Sequence, residues 1–547
     1  MNATPSLPQS LQVGEPIPPD RQHVVSSSLP TWESVGALGA GEDWLISRLK
    51  AGYPRFYINS EIRGLSEAIS KRLGLAAFEG VACLVLPSLP SAVRCLKALQ
   101  EAGTLDGTVT SVQFSHPEKS SLEASWLEFY TIVYPVEHFR TALTYWTDSG
   151  DGISTRHAEF CLGWLDYLQS NSSNAAFCTS PVKKLTVKGE EIPKLQTSGI
   201  LERDCIKQDI AVLLLSEKHG QVPVSPTDVF LYPSGMSAIN AVGRTVSSLG
   251  INSGVVAFGL LYKETIKVLE HRWPDITIYK DGGDEDVNHL EASLKAGEQI
   301  TALWIDVPSN PMLVTPDMPR LRRLADEYHF LVLVDDTVGT FANVDVLPYV
   351  DVLMTSLTKM YSGYCDVMGG SVVVNPQSPH HDRLHYQLTV SYEETFFPGD
   401  VAVLYSNSQD FLHRLQATNS NAEIVAAKLA SHPAVERVYY PSLITKNHYD
   451  RIRRRDGGYG HLLSIVFRDN DTAIRFYDGV NIFKGPSFGM TFSILIAYAQ
   501  LATKDKQPRQ EELGVPSHLV RISIGMEDVD ILLQTLFQAI KEAEIRD

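Results

Sequence analysis

"DVFLYPSGMSAINAVGRTVSSLG", Asp228 to Gly250, reads as a strand, a turn of small residues and a helix. The same texture continues for more than a hundred residues. Short apolar runs follow at 254–262 (GVVAFGLLY), 276–280 (ITIYK), 300–311 (ITALWIDVPSNP), 329–337 (HFLVLVDDT) and 351–359 (DVLMTSLTK). Between them lie the amphipathic stretches KETIKVLEHRW, DVNHLEASLKAG and DMPRLRRLADEYH, all at helical spacing. Strands alternating with helices predict an α/β unit with a mostly parallel sheet.

Working outward, the 547 residues divide into four parts. Residues 1–50 are rich in Pro and Ser and predict an extended N-terminal arm. Residues 51–225 hold a helix with Ile62, Leu65, Ile69 and Leu73 on one face, then further strands and helices. Residues 226–393 are the α/β unit. Residues 394–547 open with the helix "NSNAEIVAAKLASHP" and continue as a smaller α+β domain.

The composition is that of an ordinary soluble globular chain, 44% hydrophobic and 20% charged. A formal net charge of −17 argues against nucleic-acid binding. The densest basic run, "RIRRR" at 451–455, reads as a solvated surface stretch. Six cysteines without CxxC spacing signal no metal site and read as reduced, intracellular thiols. No apolar run is long enough to span a membrane, and the N-terminus lacks a secretory pattern, so the cytoplasm is the expected compartment.

Open parallel sheets bind ligands beyond the C-terminal ends of their strands. The residues that follow each predicted strand are therefore the candidates. They are Ser234-Gly235-Met236, Tyr262, Ser309-Asn310, the acid pair Asp335-Asp336, and Ser356-Leu357-Thr358-Lys359. A turn that opens a helix offers backbone N–H groups to an anion. A carboxylate pair at a strand end is costly without a cation or proton partner. Pyridoxal phosphate needs such a set: donors for its phosphate, an aromatic face, an acid at its pyridine nitrogen and a lysine for its aldehyde.

On these motifs the chain resembles the pyridoxal-phosphate enzymes of cysteine and methionine metabolism, in particular fungal cystathionine γ-synthases. The resemblance implies a fold type I, aminotransferase-like large domain, a small C-terminal domain and an added N-terminal module. "SLTK" followed by a glycine pair implies Lys359 as the lysine that bonds the cofactor, with Ser356 and Thr358 on its phosphate. "SGM" implies phosphate contacts from Gly235 and Met236, "LYKET" a ring-stacking Tyr262, and "VDDT" an Asp335 on the pyridine nitrogen. "PSNP" implies Asn310 near the ring hydroxyl. "YPR" implies that Tyr53 and Arg55 reach the phosphate of a neighbouring subunit, and hence a homo-oligomer, a dimer or tetramer. "LVRISIGMED" implies Arg521 on the substrate carboxylate, and "GPSFG" places Ser487 beside the lysine.

Asp336, Tyr364, Cys365 and Pro486 depart from the common pattern. Asp336 stands for an asparagine, "YC" for histidine-serine, and Pro486 for an acid of the bacterial γ-synthases. The implied reaction is γ-substitution on an O-acyl-L-homoserine, an amino-acid substrate. Cysteine is the expected nucleophile, with cystathionine as product. The alternative is a secondary-metabolism relative that uses a carbon nucleophile or sulfide, or carries out γ-elimination, and Lys359, Asp335 and Arg521 together speak against a non-enzymatic scaffold.

Overall fold

The computed structural model describes residues 11–53, 57–77, 80–103, 109–118, 121–183, 194–218, 220–250, 253–501 and 514–545. The chain forms two compact units. One comprises Pro54–Arg203 and Glu393–Val403, the other Met1–Tyr53, Asp204–Tyr392 and Leu404–Asp547.

The smaller unit carries β1 (Val81–Leu86), β2 (Thr110–Ser115), β3 (Phe129–Pro135) and β4 (Gln169–Ser172) in one antiparallel sheet, ordered β1-β3-β2-β4. Its core includes Phe114 stacked on Phe129 and the buried Trp146 and Trp164. Ile62, Leu65 and Ile69 of the helix Ser60–Arg72 join that core, as their spacing predicts. Arg94 ties the returning segment to this unit, pairing with Asp151 at 2.8 Å and with Glu393 at 2.5 Å.

The larger unit is built on seven strands: β5 (Val229–Tyr232), β6 (Gly254–Phe258), β7 (Ile276–Tyr279), β8 (Ile300–Asp306), β9 (Leu331–Asp335), β10 (Val352–Thr355) and β11 (Gly370–Val374). Their order is β5-β11-β10-β9-β8-β6-β7. The five strands from β10 to β7 run parallel, and β11 is antiparallel to both neighbours. Continuous apolar runs such as "LVLV" are what a parallel strand buried on both faces requires. Connecting helices are set by local signals. Asp317 caps the helix Met318–Tyr328 by accepting from the Arg320 N–H, and His329 ends it in the left-handed conformation.

A second sheet in this unit comprises β12 (Val435–Tyr439), β13 (Leu462–Phe467), β14 (Phe483–Lys484), β15 (Ile494–Ala497) and β16 (Leu519–Ser523), ordered β12-β13-β16-β15-β14. The long helix Phe411–Ala430 precedes it.

Two expectations need correction. The N-terminal arm is not extended throughout, since Trp32–Ala40 and Asp43–Ile46 are helices. Thr31 and Ser34 form a reciprocal cap at the start of the first, and Gly41 stops it at φ 69°. The basic run at 451–455 is not wholly solvated. Arg454 is buried and donates to the carbonyls of Phe341 and Leu215.

Candidate active site

Ends of the parallel sheet meet at Ser356, whose N–H donates to Thr337 Oγ1 at 2.7 Å and whose Oγ would lie 3.0 Å from a Cβ on Gly235. The turn after β10 carries Ser356, Thr358 and Lys359, closed by the Lys359 N–H donating to the Ser356 carbonyl at 3.3 Å. Lys359 is only 9% exposed. Its Nζ donates to Ser487 Oγ at 3.3 Å and lies 4.3 Å from the Tyr53 ring and 5.0 Å from the Phe488 ring. Gly489 makes this approach possible, since a Cβ there would lie 2.7 Å from the Met360 nitrogen.

Ser487 links the lysine to Arg521 on β16. Arg521 is buried, donates to the Pro486 carbonyl at 2.8 Å and to the Ser487 carbonyl at 3.3 Å, and reaches Asn310 Oδ1 at 3.3 Å. The guanidinium is flanked by Phe488 and Tyr498. Behind Phe488 stacks His461, fully buried with no hydrogen-bond partner for either ring nitrogen. Burial and the nearby Arg521 charge push this imidazole down to about 3, so it is neutral at pH 7.

The acids sit on adjacent parallel strands. Asp335 ends β9 and pairs in register with Asp306, the end of β8. Thr337 donates to Asp335 Oδ1 through both its backbone N–H, at 2.9 Å, and its hydroxyl. The same hydroxyl accepts the Ser356 N–H at 2.7 Å. Burial raises the Asp335 carboxyl, and Thr337 opposes that rise. Asp306 is raised well above the ordinary carboxylate range by burial and by Asp335, and its Oδ2 accepts the Tyr262 N–H at 2.7 Å. Asp336 faces the other way, as alternation along the chain requires. It is fully buried and accepts from Thr355 Oγ1, with Oδ2 unpartnered.

The residues expected at a phosphate also lie side by side. Ser234 Oγ takes the Ser237 N–H at the start of the helix Gly235–Ser248, leaving the first N–H groups, those of Gly235 and Met236, for an external acceptor. Ser356 Oγ is buried without a partner, and a Cβ on Gly235 would lie 3.0 Å from it. An orphaned hydroxyl beside free helix N–H groups fits a phosphate. Thr358, expected at the phosphate, exchanges hydrogen bonds with Gly369 in this structure. Its hydroxyl donates to the Gly369 carbonyl at 3.2 Å and accepts the Gly369 N–H at 3.1 Å, so it braces the loop. Arg55 lies outside the described residues.

Sequence reading missed Thr337, Asp306, Phe488 and His461. Thr337 had a signal, since a hydroxyl two residues after an acid commonly closes a turn on it. Of the two departures in "GYC", Tyr364 points to Asp410, at 2.7 Å, between the Arg21 and Arg414 guanidinium groups. The Cys365 thiol is buried against Val25, Met490 and Phe492, and burial pushes it up to about 12 although Lys359 opposes the rise.

Comparison with known proteins gives the same reading. Residues 224–541 match the family described as Cys/Met metabolism PLP-dependent enzyme, and residues 61–154 match the N-terminal domain of fungal trans-sulfuration enzymes. The chain is 38% identical to the cystathionine gamma-synthase-like protein ankD of Aspergillus thermomutatus, across 98% of this chain and 95% of that one. It is 33% identical to the cystathionine gamma-synthase of Neurospora crassa, across 97% and 98%. Its fold matches a crystal structure of cystathionine gamma synthase from Xanthomonas oryzae pv. oryzae, with TM-score 0.54 and 23% identity over 68% of this chain and 95% of that one. The orphaned Ser356 hydroxyl, the half-buried Asp335 and the enclosed Lys359 fit the cofactor that this family uses. The chain belongs to the pyridoxal-phosphate-dependent enzymes of cysteine and methionine metabolism.

Proposed function

We propose that the protein catalyses γ-substitution on an O-acyl-L-homoserine, with L-cysteine as nucleophile and cystathionine as product. The observation that carries this is the sharing of Ser487 by Lys359 and Arg521 in one buried site. An α-amino acid held by its carboxylate at Arg521 would bring its Cα and Cβ protons to Lys359. Pyridoxal phosphate, when bound, supplies the electron sink that makes those protons acidic. Asp335 would hold the proton on the pyridine nitrogen, and Asn310 would fix the Arg521 fork. Lys359 would move the protons at Cα and Cβ, and Tyr262 is the candidate to assist at the amine proton. The acyl group leaves from Cγ and the nucleophile takes its place. The name of the Neurospora crassa relative supports cysteine as the second substrate.

One observation favours a second reading. Pro486 offers only its carbonyl, which Arg521 occupies, where an acidic side chain would meet the ammonium of a second amino acid. That suits a nucleophile without an amine, either sulfide or a stabilised carbanion.

Incubation with O-acetyl-L-homoserine and, separately, cysteine, sulfide, a β-keto acid or no nucleophile distinguishes these. Cystathionine as the sole product supports the first reading. A product from sulfide or the keto acid but not from cysteine overturns it. Release of a keto acid without any nucleophile points to γ-elimination.

A further inference from the structure

We propose that His461 is a positioning residue for the reaction site and acts through Phe488: its ring backs the phenyl that Lys359 and Arg521 share. This rests on the reading above, with Lys359 as the reacting lysine and Arg521 as the partner of the substrate carboxylate.

Phe488 lies against both groups that would handle the substrate. Its ring centroid is 5.0 Å from Lys359 Nζ and 4.9 Å from the central carbon of the Arg521 guanidinium. An α-amino acid held between Arg521 and Lys359 would lie along this ring. Any shift of the phenyl would therefore disturb both ends of the substrate at once, and positioning of this kind is sensitive to displacements of about 1 Å.

His461 is the ring stacked on that phenyl, with centroids 6.1 Å apart and planes at 17°. This is the geometry of an offset aromatic pair. The end of β16 places both rings. Arg521 and Ser523 lie two residues apart on that strand, hence on one face. Ser523 Oγ accepts the Gly489 N–H at 2.9 Å, which fixes the turn that carries Phe488. The next residue, Ile524, donates its N–H to the His461 carbonyl at 2.8 Å. The residue before His461 is tethered as well. The Tyr440 hydroxyl donates to the Gly460 carbonyl at 2.9 Å, and the Gly460 N–H donates to Asn419 Oδ1 at 3.2 Å. One short stretch, Arg521 to Ile524, thus sets the guanidinium, the phenyl and the imidazole together.

The imidazole does not behave as an ordinary core residue. The cluster around Phe488 is apolar and includes Leu260, Leu313, Val338 and Leu462. His461 is fully buried beside it, with both ring nitrogens unpartnered. Burying an unpaired donor and acceptor is costly, and a leucine would avoid that cost. What leucine cannot provide is a flat face for Phe488. Because the imidazole stays neutral, it provides that face without a further positive charge beside Arg521.

Two measurements test this. The first reads the cofactor rather than turnover. The visible circular dichroism of the protein loaded with pyridoxal phosphate should shift or weaken in His461→Ala, and His461→Phe, which keeps a flat ring, should restore it. An unchanged spectrum in His461→Ala, or no restoration by His461→Phe, overturns the proposal. The second is a double-variant cycle on kcat/KM, with O-acetyl-L-homoserine and the nucleophile that the protein accepts. His461→Ala should lower kcat/KM about three- to tenfold, the scale of one aromatic pair. In a Phe488→Leu background the same substitution should add nothing, because the ring it acts through is gone. Equal losses in the two backgrounds overturn the proposal. Borohydride labelling of the wild-type protein separates the two readings. A label away from Lys359 refutes the site itself, whereas a label on Lys359 with the expected His461 effects missing refutes only the role of His461.

Discussion

The Nζ of Lys359 donates to the Oγ of Ser487 at 3.3 Å, while the backbone carbonyl of that same serine accepts from Arg521. The hydroxyl thus orients the lysine, and the main chain orients the Arg521 guanidinium. Ser487→Ala removes the first without the second. A hydrogen bond of this kind contributes about 1 kcal/mol, so kcat should fall roughly five- to tenfold with KM little changed. Steady-state kinetics reads this directly. A rise in KM with kcat preserved would show that Ser487 serves binding instead.

Thr337 joins Asp335 to the turn at Ser356, since one hydroxyl donates to Asp335 and accepts from the Ser356 N–H. Thr337→Val keeps the shape and removes both bonds. The expected cost is about 1–3 kcal/mol of stability, together with faster loss of the cofactor's visible absorbance on dialysis. Thr337→Ser should restore both. Equal retention by the valine variant would contradict the assignment.

Asp336 carries a pH signature. Burial is the main cause that pushes its carboxyl up to about 8 from the ordinary 3.8, and the Asp335 charge adds to it. The folded chain therefore keeps a proton that the unfolded chain releases between those values. Stability conferred by this group falls as pH rises from about 4 to about 8, by about 1.4 kcal/mol per pH unit at most. Asp336→Asn removes that slope, so its denaturation midpoint should gain on the wild type between pH 5 and pH 8. A constant difference across that range would contradict the buried neutral carboxyl.

Arg521 is held by two backbone carbonyls and Asn310. Arg521→Ala should raise KM for the amino-acid substrate by about ten- to a hundredfold, in line with the loss of a charge-assisted pair. Arg521→Lys should recover only part of this, because an ammonium lacks the planar fork. An unchanged KM in the alanine variant would remove Arg521 from carboxylate binding.

The larger unit was legible because its strands are continuous apolar runs that need cover on both faces, and because each strand end carries a polar residue with a reason to be there. Lys359, Asp335 and Ser356 could be read that way. Asp306 could not, since an acid at the end of "LWID" has no visible partner until β8 lies beside β9 and brings it next to Asp335. His461 was hidden for a similar reason. A histidine opening a strand says nothing of the phenylalanine 27 residues later on which it stacks. The arm's helices were missed because Pro and Ser dominate its composition, while capping by Thr31 and Ser34 decides its local structure.

The most direct test of the account is reduction of the purified protein with borohydride, followed by peptide mapping. The account predicts loss of the visible absorption band and a pyridoxyl group on Lys359, with no label in Lys359→Ala. A label on any other lysine, or a protein with no visible band after loading with pyridoxal phosphate, would contradict it.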